Sequence, residues 1–407
     1  MHQRHSPSMA GRGSRTPLPP SRLGSTNPII WAAAFLLLTA GCAELGDDQV
    51  PTFEVDALWP MPLEYPYILG PVSGVTVAPD DHIIILTRQD GFSSANEINT
   101  VTGTGTCCTP SQAVLEYAPD GTLMSEWGGP DEGYPWPNRP HGIAIDPEEN
   151  LWIGGGVDEE GNVDTHILKM SRSGEHLMTI GEPGQSPSNQ STTSFGGAAR
   201  FSFDADAGEV YVADGYANRR VVVLDMDTGE VLRTWGAYGN EPEDGDLPAY
   251  DPAAAPADQF RDVTCAELSN DGMVYVCDRG NNRIQVFETD GTFLMEQVIA
   301  PQTLGDGAVW DIAFSTDGQQ RFLYVADGMN ERVHIVERAS LERLTSFGIG
   351  GRVPGTFMAL ASVATDSQGN LFTAENGQGR RVQRFVHTGV GPLTADHLGA
   401  LWPNREP

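Results

Sequence analysis

A strand–turn–strand segment that recurs four times restricts the folds open to this chain. In each copy, alternating apolar residues run into an acidic residue, a polar or Gly-rich turn follows, and a second alternating strand begins near an Arg. The copies occupy residues 210–224, 274–287, 323–336 and 371–385. Their acidic residues are Asp214, Asp278, Asp327 and Glu375. The steps between these acids are 64, 49 and 48 residues, and four strands at such a period predict the blade of a β-propeller.

The same pattern predicts six blades and an all-β fold. Five blades can be assembled with four strands each, whereas the sixth, ending near Phe385, is one strand short. The strand Phe53–Trp59 can complete it, which closes the ring and removes an exposed edge. We therefore predict four regions, listed in chain order: a signal peptide over 1–41, a linker over 42–52, a six-bladed propeller over 53–390 and a tail over 391–407.

The composition excludes some partners. The formal net charge is −31, and Lys169 is the only lysine. Such an acidic surface disfavours nucleic acids and anionic membrane faces as partners. The load of 47 Gly and 29 Pro, combined with short strands, is typical of an all-β protein rather than of disorder. We expect a monomer.

The N-terminus predicts export. Four arginines precede an apolar run over 28–40, which has the length of a signal-peptide core and is short for a membrane span. The run ends in Leu-Thr-Ala-Gly-Cys42, which resembles a bacterial lipobox. We predict a lipoprotein in the periplasm or on the cell surface, anchored through lipidated Cys42. The alternative is an ordinary secretory signal cut near Ala40 or Ala43.

The other four cysteines are disulfide candidates, because export permits disulfides. Cys265 and Cys277 lie on two strands joined by a hairpin turn, where a cross-strand bond can form. Adjacent Cys107 and Cys108 lie in a Gly/Thr-rich loop. They can form a strained ring, pair elsewhere or stay reduced.

The repeats resemble NHL repeats, and over roughly 53–388 the chain resembles the propeller lyases of the peptidyl-α-hydroxyglycine α-amidating lyase group. The segments that carry the resemblance are 139–146, 211–220 and 275–287. The resemblance implies a central zinc held by one histidine in each of three alternate blades. Aligning the inner strands gives a ring facing the axis, which consists of Ser73, His141, Ala199, Thr264, Trp310 and Ala361.

Only one of the three implied zinc ligands is present. Alternate blades contribute His141, Thr264 and Ala361, and one His with Thr and Ala does not make a tight zinc site. We therefore expect His141 to act as a hydrogen-bonding residue of the pocket, or as a residual metal ligand, rather than as part of a zinc centre.

Calcium is the second metal that could bind at the axis of a propeller. Lactonase-type propellers hold calcium through Glu, Asn and Asp, and the ring offers none of these. Asp311 and Arg200 come one residue later, and we expect them to form an ion pair, with structural calcium as the alternative. Both are candidate ligand-binding residues, together with His141, Thr264 and Trp310.

Three further positions match the lyase pocket. Arg88 and Arg279 match arginines that would clamp a carboxylate or carbonyl, because the guanidinium fork donates two parallel bonds. Tyr216 matches a tyrosine that would accept a proton, which requires that cations lower its pKa. Tyr216 and Arg279 sit in turns that every blade has, so blade packing is the structural alternative for them. We expect Arg88, His141, Tyr216 and Arg279 to share a pocket.

Two functions compete on this interpretation. The first is a binding propeller that has lost the metal and recognises a small carboxylate-bearing ligand, a peptide in the axial pocket or a protein at its rim. The second is an active carbon–nitrogen lyase, with Tyr216 as the proton acceptor and the two arginines as clamps. The loss of two zinc ligands favours the first.

Overall fold

The structure is a computed structural model that describes residues 49–92, 96–130, 132–397 and 401. The predicted signal segment and Cys42 lie outside the described residues. Within these residues, no helix combines the length and the apolar character that a membrane span needs.

Six four-stranded antiparallel sheets confirm the predicted propeller. From the axis outward, blade 1 contains Val72–Val77, Ile83–Thr87, Val114–Tyr117 and Leu123–Trp127. In the same order, blade 2 contains Pro140–Ile145, Asn150–Gly155, His166–Ser171 and His176–Gly181. Blade 3 contains Ala198–Asp204, Glu209–Asp214, Arg220–Asp225 and Val231–Trp235.

The remaining three blades have the same arrangement. Blade 4 contains Val263–Leu268, Met273–Asp278, Arg283–Glu288 and Phe293–Val298. Blade 5 contains Asp311–Phe314, Phe322–Asp327, Arg332–Glu337 and Arg343–Phe347. Blade 6 contains Leu360–Thr365, Leu371–Glu375, Arg381–Pro392 and the N-terminal strand Gln49–Asp56.

Little else in the described residues is regular. A short parallel pair joins Tyr67–Ile68 to Thr109–Pro110. One α-helix spans Ile98–Thr102, and two 3-10 turns span Ala237–Gly239 and Arg279–Asn281.

The N-terminal strand closes the ring as predicted, but it begins and ends earlier. It spans Gln49–Asp56 and pairs with Arg381–Pro392, so 49–52 belong to the sheet rather than to a linker. The sequence prediction placed it at Phe53–Trp59 because Pro51 disfavours a strand in the interior of a sheet, although proline is tolerated at a sheet edge. Trp59 lies beyond the strand, buried against rings of blades 1 and 6.

The acidic residue that ends each second strand is a structural anchor. Asp278 is fully buried and binds Arg283 at 2.7 Å, and its other oxygen accepts the backbone N–H of Arg261 at 2.8 Å. Asp214 holds Arg220 and the N–H of Gly196 in the same way. These bonds fix the turns after the second strands against the connectors between blades, and the candidate site is built on those turns.

Both disulfides pair within the expected set. Cys265 and Cys277 are opposite each other in blade 4 and are bonded, with 4.8 Å between their Cα atoms. The bond lies inside the apolar core between blades 4 and 5. Cys107 and Cys108 are bonded to each other, which selects the adjacent ring among the three alternatives.

Candidate functional site

Two kinds of segment meet at one end of the axis, which we call the upper end. The inner strands begin there, and the turns that follow the second strands lie beside them, because the two strands are antiparallel neighbours. His141 is the second residue of the inner strand of blade 2. Tyr216 lies in the turn after the second strand of blade 3.

Tyr216 and His141 are in direct contact. The Tyr216 hydroxyl lies 2.5 Å from His141 Nε2, and the two rings meet edge to face at 5.0 Å. Tyr216 has a φ of 60°, a left-handed backbone conformation that is uncommon for a bulky residue. The neighbouring Gly215 packs so closely that a Cβ there would lie 2.1 Å from the carbonyl oxygen of Val263. This close packing against blade 4 fixes the turn that aims the ring at His141.

Arg279 lies over Tyr216 from the adjacent blade. Its guanidinium is 5.3 Å from the Tyr216 ring centroid and 4.5 Å from that of Trp310, which is cation–π geometry on both faces. Asp262 lies 3.7 Å from Nη2, and the side chain of Arg279 is buried. Its Nε has no hydrogen-bond partner among the described residues. One N–H of this buried guanidinium is therefore unsatisfied within the described residues.

Arg88 occupies the corresponding position in blade 1. Its Nη2 donates to Asn376 Oδ1 of blade 6 at 2.8 Å, and Nε lies 3.5 Å from the exposed carboxylate of Asp90. The side chain is 6% exposed, and Nη1 has no hydrogen-bond partner in the described part of the chain. Arg88 is close enough to act electrostatically on both His141 and Tyr216.

The electrostatics keep the Tyr–His pair neutral. Burial, followed by the charges of Arg279 and Arg88, lowers the pKa of His141 to about 3. Burial raises the pKa of Tyr216, and it outweighs the opposing effect of Arg279. Arg279 and Arg88 do act to lower the pKa of Tyr216, but the net lowering that a proton acceptor requires is not met, because burial outweighs them. The free-energy cost of removing the phenolate from water exceeds the stabilisation that the neighbouring cations give it.

The zinc that the resemblance implies does not fit these residues. The Thr264 hydroxyl donates to the Val309 carbonyl at 3.3 Å, and Ala361 carries no donor atom. His141 uses Nε2 on Tyr216. Over 49–92, 96–130 and 132–397, no three or more His, Cys, Asp or Glu residues are arranged to hold a metal ion.

The other expected ligand-binding residues divide into two layers. Trp310 belongs to the upper group, where its Nε1 donates to Gly307 and its ring supports Arg279. Arg200 and Asp311 lie one residue further along their inner strands and form the expected ion pair, at 3.2 Å. They contact each other and other inner strands rather than the His141 group.

Two partners of the site were not predicted from the sequence. Asn376 orients Arg88, and Asp262 stands beside Arg279. Asn376 follows a second strand, as Arg88 and Arg279 do, so the alignment of the turns contains a signal for it. Asp262 lies in a connector between blades and carries no comparable signal.

These features define a class: a six-bladed β-propeller with a buried, arginine-flanked Tyr–His pair at its upper end. The NHL repeat family matches residues 260–287, the segment that carries Arg279. The predicted NHL resemblance is confirmed.

Curated relatives extend the similarity beyond one repeat. The chain is 28% identical over 238 residues to NHL repeat-containing protein 3 of Mus musculus, covering 57% of each protein. It is 26% identical over 236 residues to peptidyl-glycine alpha-amidating monooxygenase of Mus musculus, covering 56% of this chain and 22% of that protein. It is 24% identical over 260 residues to peptidyl-alpha-hydroxyglycine alpha-amidating lyase 1 of Drosophila melanogaster, covering 61% and 44%. The match therefore spans little more than half of these relatives at most.

Proposed function

We propose that this protein is an exported, lipid-anchored propeller that binds a small carboxylate-bearing ligand at its upper end. The observation that carries the proposal is the pair of buried arginines, Arg88 and Arg279, which retain N–H groups without a partner among the described residues. Buried polar groups are almost always hydrogen-bonded, so unsatisfied donors on two cations favour an anionic ligand.

The neutral pair between the arginines suits the recognition of a hydroxyl or carbonyl oxygen. Tyr216 is protonated at neutral pH, because its pKa is raised, and it can donate to such an oxygen if it leaves His141. His141 is uncharged and can exchange one neutral hydrogen bond for another. A 2-hydroxy or 2-oxo carboxylate presents both groups on adjacent carbons.

Isothermal titration calorimetry with glyoxylate and with a peptidyl-α-hydroxyglycine tests the proposal. We expect saturable binding to the wild type that is weakened in Arg88→Ala and Arg279→Ala. Arg352→Ala is the matched control, because Arg352 is surface-exposed and bonds to Gln378. Binding that is unchanged in both site variants, or equally weakened in the control, would contradict the proposal.

The second candidate is an active lyase, which the similarity to the amidating lyase of Drosophila melanogaster favours. It predicts release of glyoxylate from a peptidyl-α-hydroxyglycine and near-stoichiometric zinc in the purified protein. The single histidine of the donor set argues against it. Binding without turnover and without zinc would leave the binding function alone.

Export and anchoring are tested separately at Cys42. We expect the full chain to incorporate labelled palmitate and to sediment with membranes. Cys42→Ser should lose both properties, with Cys107→Ser as the control. Label retained in Cys42→Ser would reject the lipid anchor.

A further inference from the structure

The structure assigns a built-in cation to the axis of the propeller: the guanidinium of Arg200 occupies an all-oxygen cage of the kind that otherwise binds a hard metal ion such as Ca²⁺. This inference concerns the layer below the candidate site and does not depend on the proposed ligand.

The cage is formed by inner strands of four other blades. Nη1 donates to the Val75 carbonyl of blade 1 at 3.1 Å, and to Ser362 Oγ of blade 6 at 3.0 Å. Nη2 donates to the Val363 carbonyl at 3.0 Å. Together with blade 3, which supplies Arg200, these contacts join three inner strands at the centre of the ring.

Two carboxylates complete the cage. Asp311 of blade 5 lies 3.2 Å from Nη2, and Glu267 of blade 4 lies 3.3 Å from Nε. Of the five N–H donors of a guanidinium, Arg200 uses four in hydrogen bonds, and the contact with Asp311 is an ion pair. Its side chain is 9% exposed, so the charge is held almost out of water, and carboxyl groups flank it from two sides.

The oxygen set has the composition of a calcium site. Two carboxylates, two backbone carbonyls and one hydroxyl are hard ligands, which Ca²⁺ accepts in flexible geometry. The structural calcium considered from the sequence therefore does not fit the protein as it stands, because the Arg200 guanidinium fills the place between these oxygens. Removing that side chain would leave the same oxygens facing a vacant, negatively charged space.

Solvent can reach the cage from below. Two cavities of about 500 and 430 Å³ are both lined by Arg200 and Glu267. They lie at the ends of the inner strands, opposite the candidate site, and both include Thr76 and Thr365. An added metal ion would therefore have a path to a vacated cage.

Thermal denaturation of the full chain, with EDTA or with Ca²⁺ at about 10 mM, tests the inference. We expect the melting temperature of the wild type to be the same in both conditions. Arg200→Ala should melt about 4–7 °C lower in EDTA, because the buried carboxyl groups lose the cation between them, and it should regain about half of that loss in Ca²⁺. Wild-type protein that is stabilised by Ca²⁺ and destabilised by EDTA would overturn the inference.

Matched variants separate the cage from general effects of Ca²⁺ on an acidic protein. Arg200→Met removes the charge but keeps much of the volume, so it should be destabilised and gain nothing from Ca²⁺. Arg338→Ala breaks a surface ion pair with Asp271 and should also gain nothing. If Ca²⁺ raises the melting temperatures of Arg200→Ala and Arg338→Ala equally, the inference that the cage binds Ca²⁺ is wrong.

A variant that fails to fold still gives a result. If Arg200→Ala is unfolded in EDTA, refolding is compared with and without Ca²⁺, and we expect native protein only with Ca²⁺. Arg200→Lys keeps one positive charge and should melt between the wild type and Arg200→Met. A melting temperature equal to that of Arg200→Met, or no refolding of Arg200→Ala in Ca²⁺, would contradict the role of the cation.

Discussion

Two layers of the same axis place arginines in opposite situations. In the upper layer, Arg88 and Arg279 are buried but retain N–H groups without a partner in the described part of the chain. One residue deeper, Arg200 makes four hydrogen bonds and an ion pair with Asp311, all to other inner strands. The residue type and the degree of burial are the same, so neither distinguishes a binding site from a structural network. The two layers differ in how many of the guanidinium N–H groups are hydrogen-bonded and in how close the carboxyl groups lie.

The carboxylates follow the same division. Glu267 and Asp311 lie 3.3 and 3.2 Å from the guanidinium of Arg200, whereas the carboxylate of Asp262 lies 3.7 Å from that of Arg279. A buried cation in close contact with carboxyl groups of other blades connects those blades structurally. A buried cation with incomplete pairing attracts an anion from outside.

The largest expected contrast is in stability. Asp311→Ala should lower the free energy of unfolding by about 3–5 kcal/mol, because it leaves the buried charge of Arg200 with one partner fewer. Arg279→Ala should cost at most about 1–2 kcal/mol, since it loses cation–π contacts but no fully paired bond. Urea denaturation measures both, and equal losses would break the comparison.

The pH dependence of stability sharpens the lower layer. Burial raises the pKa of Glu267 to about 7, so the folded state keeps a proton between about pH 4.5 and 7 that the unfolded state has released. Stability should therefore fall as the pH rises through this window, by up to about 3 kcal/mol, and level off above it.

Glu267→Gln should flatten that dependence. Glu116→Gln is the control, because Arg172 and His82 lower the pKa of Glu116 against the cost of its burial. The stability that Glu116 contributes is present above its unfolded pKa and is lost as the pH falls, which is the opposite sign. Urea titrations at several pH values measure both slopes. If stability rises between pH 5 and 7 in the wild type but not in Glu267→Gln, the assignment to Glu267 is wrong.

Ligand affinity should respond in the upper layer. Arg279→Ala is expected to weaken carboxylate binding by about 10- to 100-fold, because hydrogen bonds to charged groups are worth about 1.5–3 kcal/mol. Arg279→Lys should lie between the two, since it keeps the charge but loses the planar fork. Calorimetry measures the affinities, and an Arg279→Lys protein that binds like the wild type would reject bidentate recognition.

The smallest effect is expected at the Tyr–His pair. Tyr216→Phe removes one neutral hydrogen bond and should weaken binding by only about fivefold, roughly 1 kcal/mol. With a His141 pKa of about 3 and a raised Tyr216 pKa, binding should not change with pH between about 5 and 9 through either group. NMR of the imidazole resonances checks this, and a His141 that titrates near its ordinary pKa of about 6.5 would contradict it.

The repeat made the fold predictable. The acidic turns reveal the blade period, the short sixth blade calls for a closing strand, and the hairpin around Asn270 and Asp271 placed Cys265 opposite Cys277. The bounds of the closing strand were harder to predict, because Val50 and Pro51 lie in a strand that pairs with a segment at the far end of the chain.

The site was predictable where it deviates from the repeat. Arg279 and Tyr216 were found by their match to positions of the propeller lyases, and sister turns with Gly328 and Asn376 show that the turn itself does not require them. The direction of the pKa shift of Tyr216 was not predictable, since it depends on how completely the turn is buried. The expected Arg200–Asp311 pair was present, but the other contacts of Arg200 run across the axis and have no spacing in sequence that could have shown them.

Ring closure has a consequence for biogenesis. The hydroxyls of Thr52 and Thr388 meet across the closing pair at 2.9 Å, although 336 residues separate them. The first strand of the propeller to leave the ribosome is thus the last to find its place, and blade 6 stays open until nearly the whole chain is available. A chain that cannot complete its ring early stays unfolded for longer, which is compatible with the export proposed above, because export would require an unfolded chain to cross a membrane.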